Sequence, residues 1–110
     1  MGVIIAANFN RLLEQLLAEY SQRAAAIRHD LGKAHAADFA EQAVERQNDE
    51  VLNALLAEAE AGMRLVGLAR LRLAEGSYGL CQRCGEAISP ARLQALPAAE
   101  YCLHCAEQAS

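Results

Sequence analysis

The chain is poor in aromatic residues and in proline, and both shortages restrict the folds it can adopt. Its 110 residues include three tyrosines, two phenylalanines, no tryptophan and two prolines. Aromatic rings supply much of the surface that a compact core buries, so a thick globular centre is not expected. Alanine supplies much of the apolar content and is the best helix former, but it fills little space. The composition therefore predicts long helices.

The chain also lacks an excess of positive charge. Ten Lys and Arg residues stand against fourteen Asp and Glu residues, which gives a formal net charge of −4. Proteins that bind nucleic acid broadly use Lys and Arg to neutralise phosphates, and helices that lie on membrane surfaces are usually rich in the same residues. Direct, specific DNA binding and attachment to a membrane are therefore not expected.

The apolar run at the N-terminus, residues 1–7, is far too short to span a bilayer, and no positive charges precede it. We interpret it as a separate apolar tail. No other targeting signal is visible, so we expect a cytoplasmic protein. Cysteines in the cytoplasm are more often metal ligands than disulfide partners.

A first helical periodicity covers roughly Asn8 to Asp30. Its apolar residues recur at the spacing of one helix face, with polar residues on the other side, as in an amphipathic helix. They are Phe9, Leu12, Leu13, Leu16, Leu17, Tyr20, Ala24, Ile27 and Leu31. Gly32 then interrupts the pattern.

A second helix is predicted from Asp38 to about Glu75. Asp38 can cap its first turn, with Glu41 completing a capping box, and Gly76 is a stop signal. Between them, residues recur at steps of three and four, as in a coiled-coil seam. They are Val44, Asn48, Val51, Leu55, Ala59, Gly62, Val66, Ala69 and Leu73.

These patterns predict a fold dominated by α-helix. A short break between two seamed helices favours an antiparallel coiled-coil hairpin over residues 8–75, with its tip near residues 32–38. A small four-cysteine zinc ribbon with a short C-terminal helix is expected to follow over residues 76–110.

The ribbon prediction rests on two Cys-x-x-Cys pairs, Cys81 with Cys84 and Cys102 with Cys105, separated by 17 residues. Two residues between cysteines let both sulfurs of a pair reach one metal at about 2.3 Å. Two disulfides or four free thiols are the alternatives, but this spacing is a strong signature of zinc. Four thiolates fill the tetrahedron and leave no place for an activated water, so we predict one structural zinc ion and no enzyme.

Between the two pairs, the sequence also predicts a short helix. Ser89 is a suitable N-cap and Pro90 suits the first helical position. This helix is expected to carry Ile88, Leu93 and Leu96 towards the metal site.

The same region resembles a known family. Cys-x-x-Cys-Gly-Glu-x-Ile, then Pro-x-Arg-Leu-x-Ala-x-Pro and a second Cys-x-x-Cys, is similar to the zinc finger of the DksA/TraR family. The preceding Tyr78-Gly79-x-Cys81 fits as well, and a helical hairpin ahead of the finger resembles the longer, DksA-like members. The resemblance covers roughly residues 35–107, whereas residues 1–34 match only in being helical.

The resemblance implies a bacterial transcription regulator that binds RNA polymerase and inserts its coiled-coil tip into the secondary channel. The tip motif of DksA reads Asp-x-x-Asp-x-Ala, which corresponds here to His35, Asp38 and Ala40, with His35 in place of the first Asp. These three residues are therefore the predicted partner-binding residues. Helix capping is by itself sufficient to explain Asp38, and the two roles are compatible.

The resemblance also bears on effectors. Arg92 matches the family motif and is a candidate contact to polymerase or to an effector. Alarmone-responsive members carry a basic residue just before the second proline, where this chain has Leu96, which argues against a ppGpp response through that site. The alternative function, from another class, is a zinc-ribbon adaptor that docks a different protein, with the hairpin as a spacer or dimer seam.

The charge balance makes a prediction about DNA. In a gel-shift assay with duplex DNA, the zinc-loaded protein alone is expected to give no sequence-dependent band at about 0.2 M salt, because it has no excess of cations to neutralise phosphates. A sequence-dependent band that resists salt contradicts this prediction.

Overall fold

The computed structural model describes residues 3–33 and 39–109, and within them the side chains of residues 7–33 and 44–108. It contains the helices α1 (Val3–Leu31), α2 (Phe39–Glu75), α3 (Pro90–Ala95) and α4 (Leu103–Ala109). In this part of the chain there is no β-strand, only an isolated antiparallel bridge between Leu80 and Ala87. The predicted helical fold is confirmed. None of the described helices is both long enough and apolar enough to cross a membrane.

Helix α1 starts earlier than the periodicity predicted. It begins at Val3 instead of Asn8, so the interpretation of residues 1–7 as a separate tail is wrong for residues 3–7, which are helical. The physical reason is that no proline or glycine lies between Gly2 and Gly32 to interrupt the backbone. A helix can extend beyond the residues that show a clear amphipathic periodicity.

Helix α2 ends where the sequence predicted. Gly76 has a φ of +85°, which glycine adopts without steric cost. The N–H of Ser77 donates to the carbonyl of Arg72 at 2.9 Å, the bond that closes a Schellman-type helix end. At the other end, α2 begins at Phe39, and the predicted cap Asp38 lies outside the described residues.

The chain divides into two compact units, each built from parts of both long helices. The terminal unit comprises Met1–Leu17 and Arg64–Ser110, and the central unit comprises Ala18–Met63. The sequence had placed the boundary between hairpin and zinc module at residues 75 and 76. The structure instead joins the start of α1 and the last turns of α2 to the cysteine module.

In the terminal unit, α1 and α2 run antiparallel. Glu14 of α1 lies 3.8 Å from Arg70 of α2, and Phe9, one turn earlier, packs beside Tyr78, which follows α2. The side chains buried in this unit come from all of its elements. They include Phe9, Leu13, Val66, Ala69, Tyr78, Ile88 and Leu93.

In the central unit, the antiparallel helices approach each other closely because small residues line their contact. Ala24 and Ala59 are fully buried, and Gly62 is buried opposite Tyr20. A Cβ on Gly62 would lie 2.5 Å from the Cζ of the Tyr20 ring. Glycine at this position therefore makes room for the ring.

The two glycines inside α2 provide a matched test of this contact. Gly62→Ala is expected to lower the free energy of unfolding, because overpacking against Tyr20 costs about 1–3 kcal/mol and exceeds the helix-propensity gain of about 1 kcal/mol. Gly67→Ala, whose Cβ would meet no atom within 4 Å, is expected to raise it by about 1 kcal/mol. Urea unfolding followed by circular dichroism measures both. Equal stabilisation by the two substitutions would show that the Tyr20 ring does not constrain α2.

Candidate metal centre

The first cysteine pair sits on a tight backbone turn. The N–H of Cys81 donates to the carbonyl of Glu86 at 2.8 Å, and the N–H of Gly85 donates to the carbonyl of Cys81 at 2.9 Å. Gly85 has a φ of +78°, a conformation that side chains rarely adopt. The glycine directly after the second cysteine thus lets the chain reverse with both sulfurs on the same side.

The second pair is positioned by the start of α4. The sulfur of Cys102 accepts a hydrogen bond from the N–H of Cys105 at 3.5 Å, so Cys102 caps the helix that carries Cys105. The N–H of Gln82 donates to the carbonyl of Glu100 at 2.8 Å. This bond ties the two pairs together across 17 residues of sequence.

The four sulfurs converge as the sequence predicted. The Sγ atoms of Cys81, Cys84, Cys102 and Cys105 all lie within 4.8 Å of one another, and the distance between Cys84 and Cys102 is 3.9 Å. All four thiols are free, so the disulfide alternative does not apply. A tetrahedral zinc with bonds of about 2.3 Å needs sulfurs about 3.8 Å apart. The donor set therefore fits one zinc ion.

The electrostatics of the cluster also favour a cation. Burial raises the pKa of Cys81, but backbone N–H groups from both pairs point at its sulfur and lower that pKa to about 6. Burial and the neighbouring sulfurs raise the pKa of Cys105 to about 12. The N–H of Glu86 lowers the pKa of Cys84, but burial and the sulfurs of Cys81 and Cys102 raise it, and the net effect is a raised pKa. One thiolate is stable in this cluster, but four thiolates would repel one another. A bound Zn²⁺ supplies the positive charge that lets all four cysteines ionise.

Helix α3 forms as predicted, with one correction. The Oγ of Ser89 accepts from the N–H of Arg92 at 3.2 Å and Pro90 occupies the first turn, so cap and start are confirmed. Leu93 and Ile88 are buried, and both line the same small cavity as Phe9 and Tyr78. Leu96 is exposed instead of packed, because it ends the helix and no longer follows its inward face.

Arg92 has a structural contact that sequence reasoning missed. Its Nε donates to the carbonyl of Tyr101 at 2.9 Å, which fixes α3 to the residue just before Cys102. The contact to polymerase or to an effector remains a prediction. The sequence carried no signal for this contact, because no spacing rule links Arg92 to Tyr101.

Tyr78 is the second residue whose role the sequence did not reveal. Its hydroxyl donates to the carbonyl of Pro97 at 2.7 Å, and its ring lies 5.2 Å from that of Phe9. Burial raises the pKa of Tyr78 to about 12, partly offset by the positive charge of Arg72. Tyr78 therefore connects α1, the end of α2 and the loop between the cysteine pairs. The scarcity of aromatic residues was the signal that could have found it.

The predicted tip residues fall outside the side chains that the structure describes. His35 and Asp38 lie outside the described residues. Ala40 lies in the first turn of α2, and its side chain is also outside the described part. Their predicted role in binding a partner stays a prediction.

Comparison with known proteins agrees with this geometry. Residues 76–110 match the prokaryotic dksA/traR C4-type zinc finger, and residues 9–72 match the N-terminal domain of DnaK suppressor protein-like proteins. The chain belongs to the DksA/TraR family. This membership confirms the resemblance seen in the sequence and the assignment of one structural zinc ion to the four cysteines. Proteins of the DksA family are regulators and not enzymes.

Solved structures of three proteins have a similar fold. The chain is similar to the transcription factor DksA2 of Pseudomonas aeruginosa, with a TM-score of 0.70 and 26% identity over 96% of this chain and 79% of that one. It is also similar to the DnaK suppressor protein of Agrobacterium tumefaciens C58, with a TM-score of 0.64 and 32% identity over 93% and 91% of the two chains. A Chlamydia trachomatis protein described as an RNA polymerase binding protein and transcriptional regulator shares the fold, with a TM-score of 0.59 and 22% identity over 98% and 90%.

One curated relative matches part of the chain. An uncharacterized protein of Aquifex aeolicus is 40% identical over 60 residues. The match spans 54% of this chain and 41% of the relative's length.

The metal assignment predicts a zinc content of one per chain. Cys84→Ser is expected to weaken zinc binding on the order of a hundredfold, because roughly 10–16 kcal/mol of binding free energy is shared by four ligands. Cys84 is exposed, so the substitution removes a ligand with little loss of packing. Arg83→Ser, an exposed position between the same two cysteines, is the control and should keep full zinc. Elemental analysis and chelator competition measure both.

The Cys84→Ser variant also tests which part of the chain depends on zinc for its structure. Loss of zinc is expected to loosen residues 76–110, while circular dichroism keeps most of its helical signal, since α1 and α2 hold most helical residues. Purified protein without zinc, or with two disulfides by mass spectrometry, contradicts the assignment.

Proposed function

We propose that this DksA-type transcription factor binds RNA polymerase and modulates initiation by inserting its coiled-coil tip into the secondary channel of the enzyme. The observation that carries the proposal is the combination of two family matches in one chain, a C4 zinc finger at residues 76–110 and a DksA-like helical domain at residues 9–72. A protein with this combination has a metal-held module and long helices, which suits a regulator that acts by contact with a partner.

The geometry supports different roles for the zinc finger and for the long helices. Four sulfurs complete the coordination of zinc, so the metal holds the fold and does not activate water. Helix α2 has 37 residues, a length of roughly 55 Å at 1.5 Å per residue. A helix of that length can carry a side chain far from the segment that anchors it, which suits a protein that reaches into a channel.

Charge supports a protein partner over nucleic acid. The net charge is −4, and a zinc ion bound by four thiolates adds two further negative charges to the ribbon. Such a surface is poorly suited to a phosphate backbone. The Chlamydia trachomatis protein that shares the fold is described as RNA polymerase binding, which supports the choice of this partner in the proposal.

Asp38 is the residue proposed to act at the tip. It directly precedes the first described residue of α2 and matches the second Asp of the family's tip motif. A carboxylate there would bring a negative charge towards the catalytic magnesium region of the polymerase. Capping of α2 is a sufficient structural reason for the same residue, so a test has to separate the charge from the cap.

Asp38→Asn makes this separation. Asn caps a helix about as well as Asp, so the free energy of unfolding should change by less than about 0.5 kcal/mol. The variant is expected to bind RNA polymerase like the parent protein but to lose its effect in a reconstituted initiation assay. Glu58→Gln removes one charge from an exposed position of the same helix and should regulate normally.

Two outcomes contradict the proposal at different levels. If Asp38→Asn regulates like the parent protein, Asp38 is a cap only and the tip acts otherwise. If the parent protein has neither affinity for RNA polymerase nor an effect on initiation, the proposed function fails, and the zinc-ribbon adaptor takes its place.

A further inference from the structure

An apolar cavity of about 290 Å³ lies in the terminal unit, between α1 and the zinc ribbon. Buried side chains form its floor, and exposed or half-buried residues form its rim. The floor comprises Phe9, Tyr78, Ile88 and Leu93, and the rim comprises Gly79, Leu80, Ala87 and Pro90. None of these lining residues is charged. The cavity is therefore open to solvent at its rim and apolar inside.

The walls of the cavity are fixed by the backbone of the ribbon. Leu80 and Ala87 form the isolated antiparallel bridge, and the N–H of Ile88 donates to the carbonyl of Gly79 at 2.7 Å. The next residue along the chain, Cys81, belongs to the metal site, which holds the same turn in place. The cavity is thus formed before any ligand enters, as ligand sites usually are.

Water is a poor occupant of this cavity, because several polar groups around it already have partners. The hydroxyl of Tyr78 donates to the carbonyl of Pro97 at 2.7 Å, and the N–H of Leu93 donates to the carbonyl of Ser89 at 3.1 Å. Pro90 has no N–H to offer. A buried water typically makes about three hydrogen bonds, and groups that are already engaged give it little. An apolar molecule that displaces weakly held water gains affinity.

We propose that this cavity is a binding site for a small neutral molecule that contains an aromatic ring. The rings of Phe9 and Tyr78 both line the cavity and lie 5.2 Å apart at an angle of 48°. A third ring beside them can make the offset or edge-to-face contacts that aromatic groups prefer. A charged ligand does not fit, because no lining residue compensates its charge. The inference goes beyond the proposed function and does not depend on polymerase binding.

The size of the cavity limits the ligand to one or two rings. An apolar cavity of about 150 Å³ holds a single benzene molecule. The cavity of about 290 Å³ therefore has room for a fused pair of rings such as indole. For so few atoms, with one side of the site open to water, we expect a dissociation constant on the order of 1 mM.

The experiment titrates the full-length, zinc-loaded protein with indole and follows its amide signals by NMR. Indole is expected to give saturable shifts at Gly79, Leu80 and Ile88, which surround the cavity. Benzoate, a single ring that carries a negative charge, is the matched ligand control. It should give no saturable shift over the same concentration range, because the apolar lining does not compensate its charge.

Two alanine positions of the ribbon provide matched variants. Ala87→Phe places a ring at the rim of the cavity and is expected to weaken indole binding at least about tenfold. Ala91→Phe makes the same change at an exposed position of α3 that does not line the cavity, and it should bind indole like the parent protein. Zinc content shows whether each variant keeps the ribbon folded.

The parent protein alone can overturn the inference. Absence of a saturable shift with indole contradicts it, and so does benzoate binding as tight as that of indole. Equal indole affinity of Ala87→Phe and Ala91→Phe, with zinc retained in both, shows that indole binds elsewhere and also overturns it. If Ala87→Phe loses zinc, the position of the shifts in the parent protein decides. Saturable shifts confined to the cavity support the inference, and shifts spread over other residues contradict it.

Discussion

The convergence of four cysteine sulfurs within 4.8 Å is the constraint on which the terminal unit depends. A chain with five aromatic residues has little bulk with which to fix long loops, and a metal site replaces that bulk with four strong bonds. Once the two pairs are joined, the loop between them is held in place. Tyr78 can then donate to Pro97 and pack against Phe9, which connects α1 to the same unit.

The long helices depend on a different principle, close approach through small side chains. Ala24, Ala59 and Gly62 let the two backbones of the central unit come near each other, and Tyr20 fills the space above the glycine. The exposed ion pair between Arg28 and Glu60 adds at most about 1 kcal/mol. A contact formed by small side chains can therefore join two long helices with few bulky residues.

These two principles assign the parts of the molecule to different tasks. The zinc site has no open coordination position, so it contributes shape and not reactivity. The residue proposed to act on a partner is Asp38, which precedes α2 in the sequence. A regulator of the DksA/TraR family does not need a catalytic site of its own. A side chain held in the right place can change the chemistry of a partner.

The sequence by itself determined the four ligands, the stop of α2 at Gly76 and the start of α3 at Ser89, because each follows from residues close together in the chain. It also indicated the family, since the zinc-finger motif is local. Only the tertiary structure decided what Gly62, Tyr78 and Arg92 do, because their partners Tyr20, Pro97 and Tyr101 are distant in sequence and no spacing rule links them. It also decided which part of the α2 seam is covered. The heptad pattern predicts a seam through Val51 and Leu55, but these side chains are exposed and their neighbours Leu52 and Leu56 are half-buried. Which positions are covered depends on how the two helices are aligned in space, and a repeat along one helix does not determine that alignment.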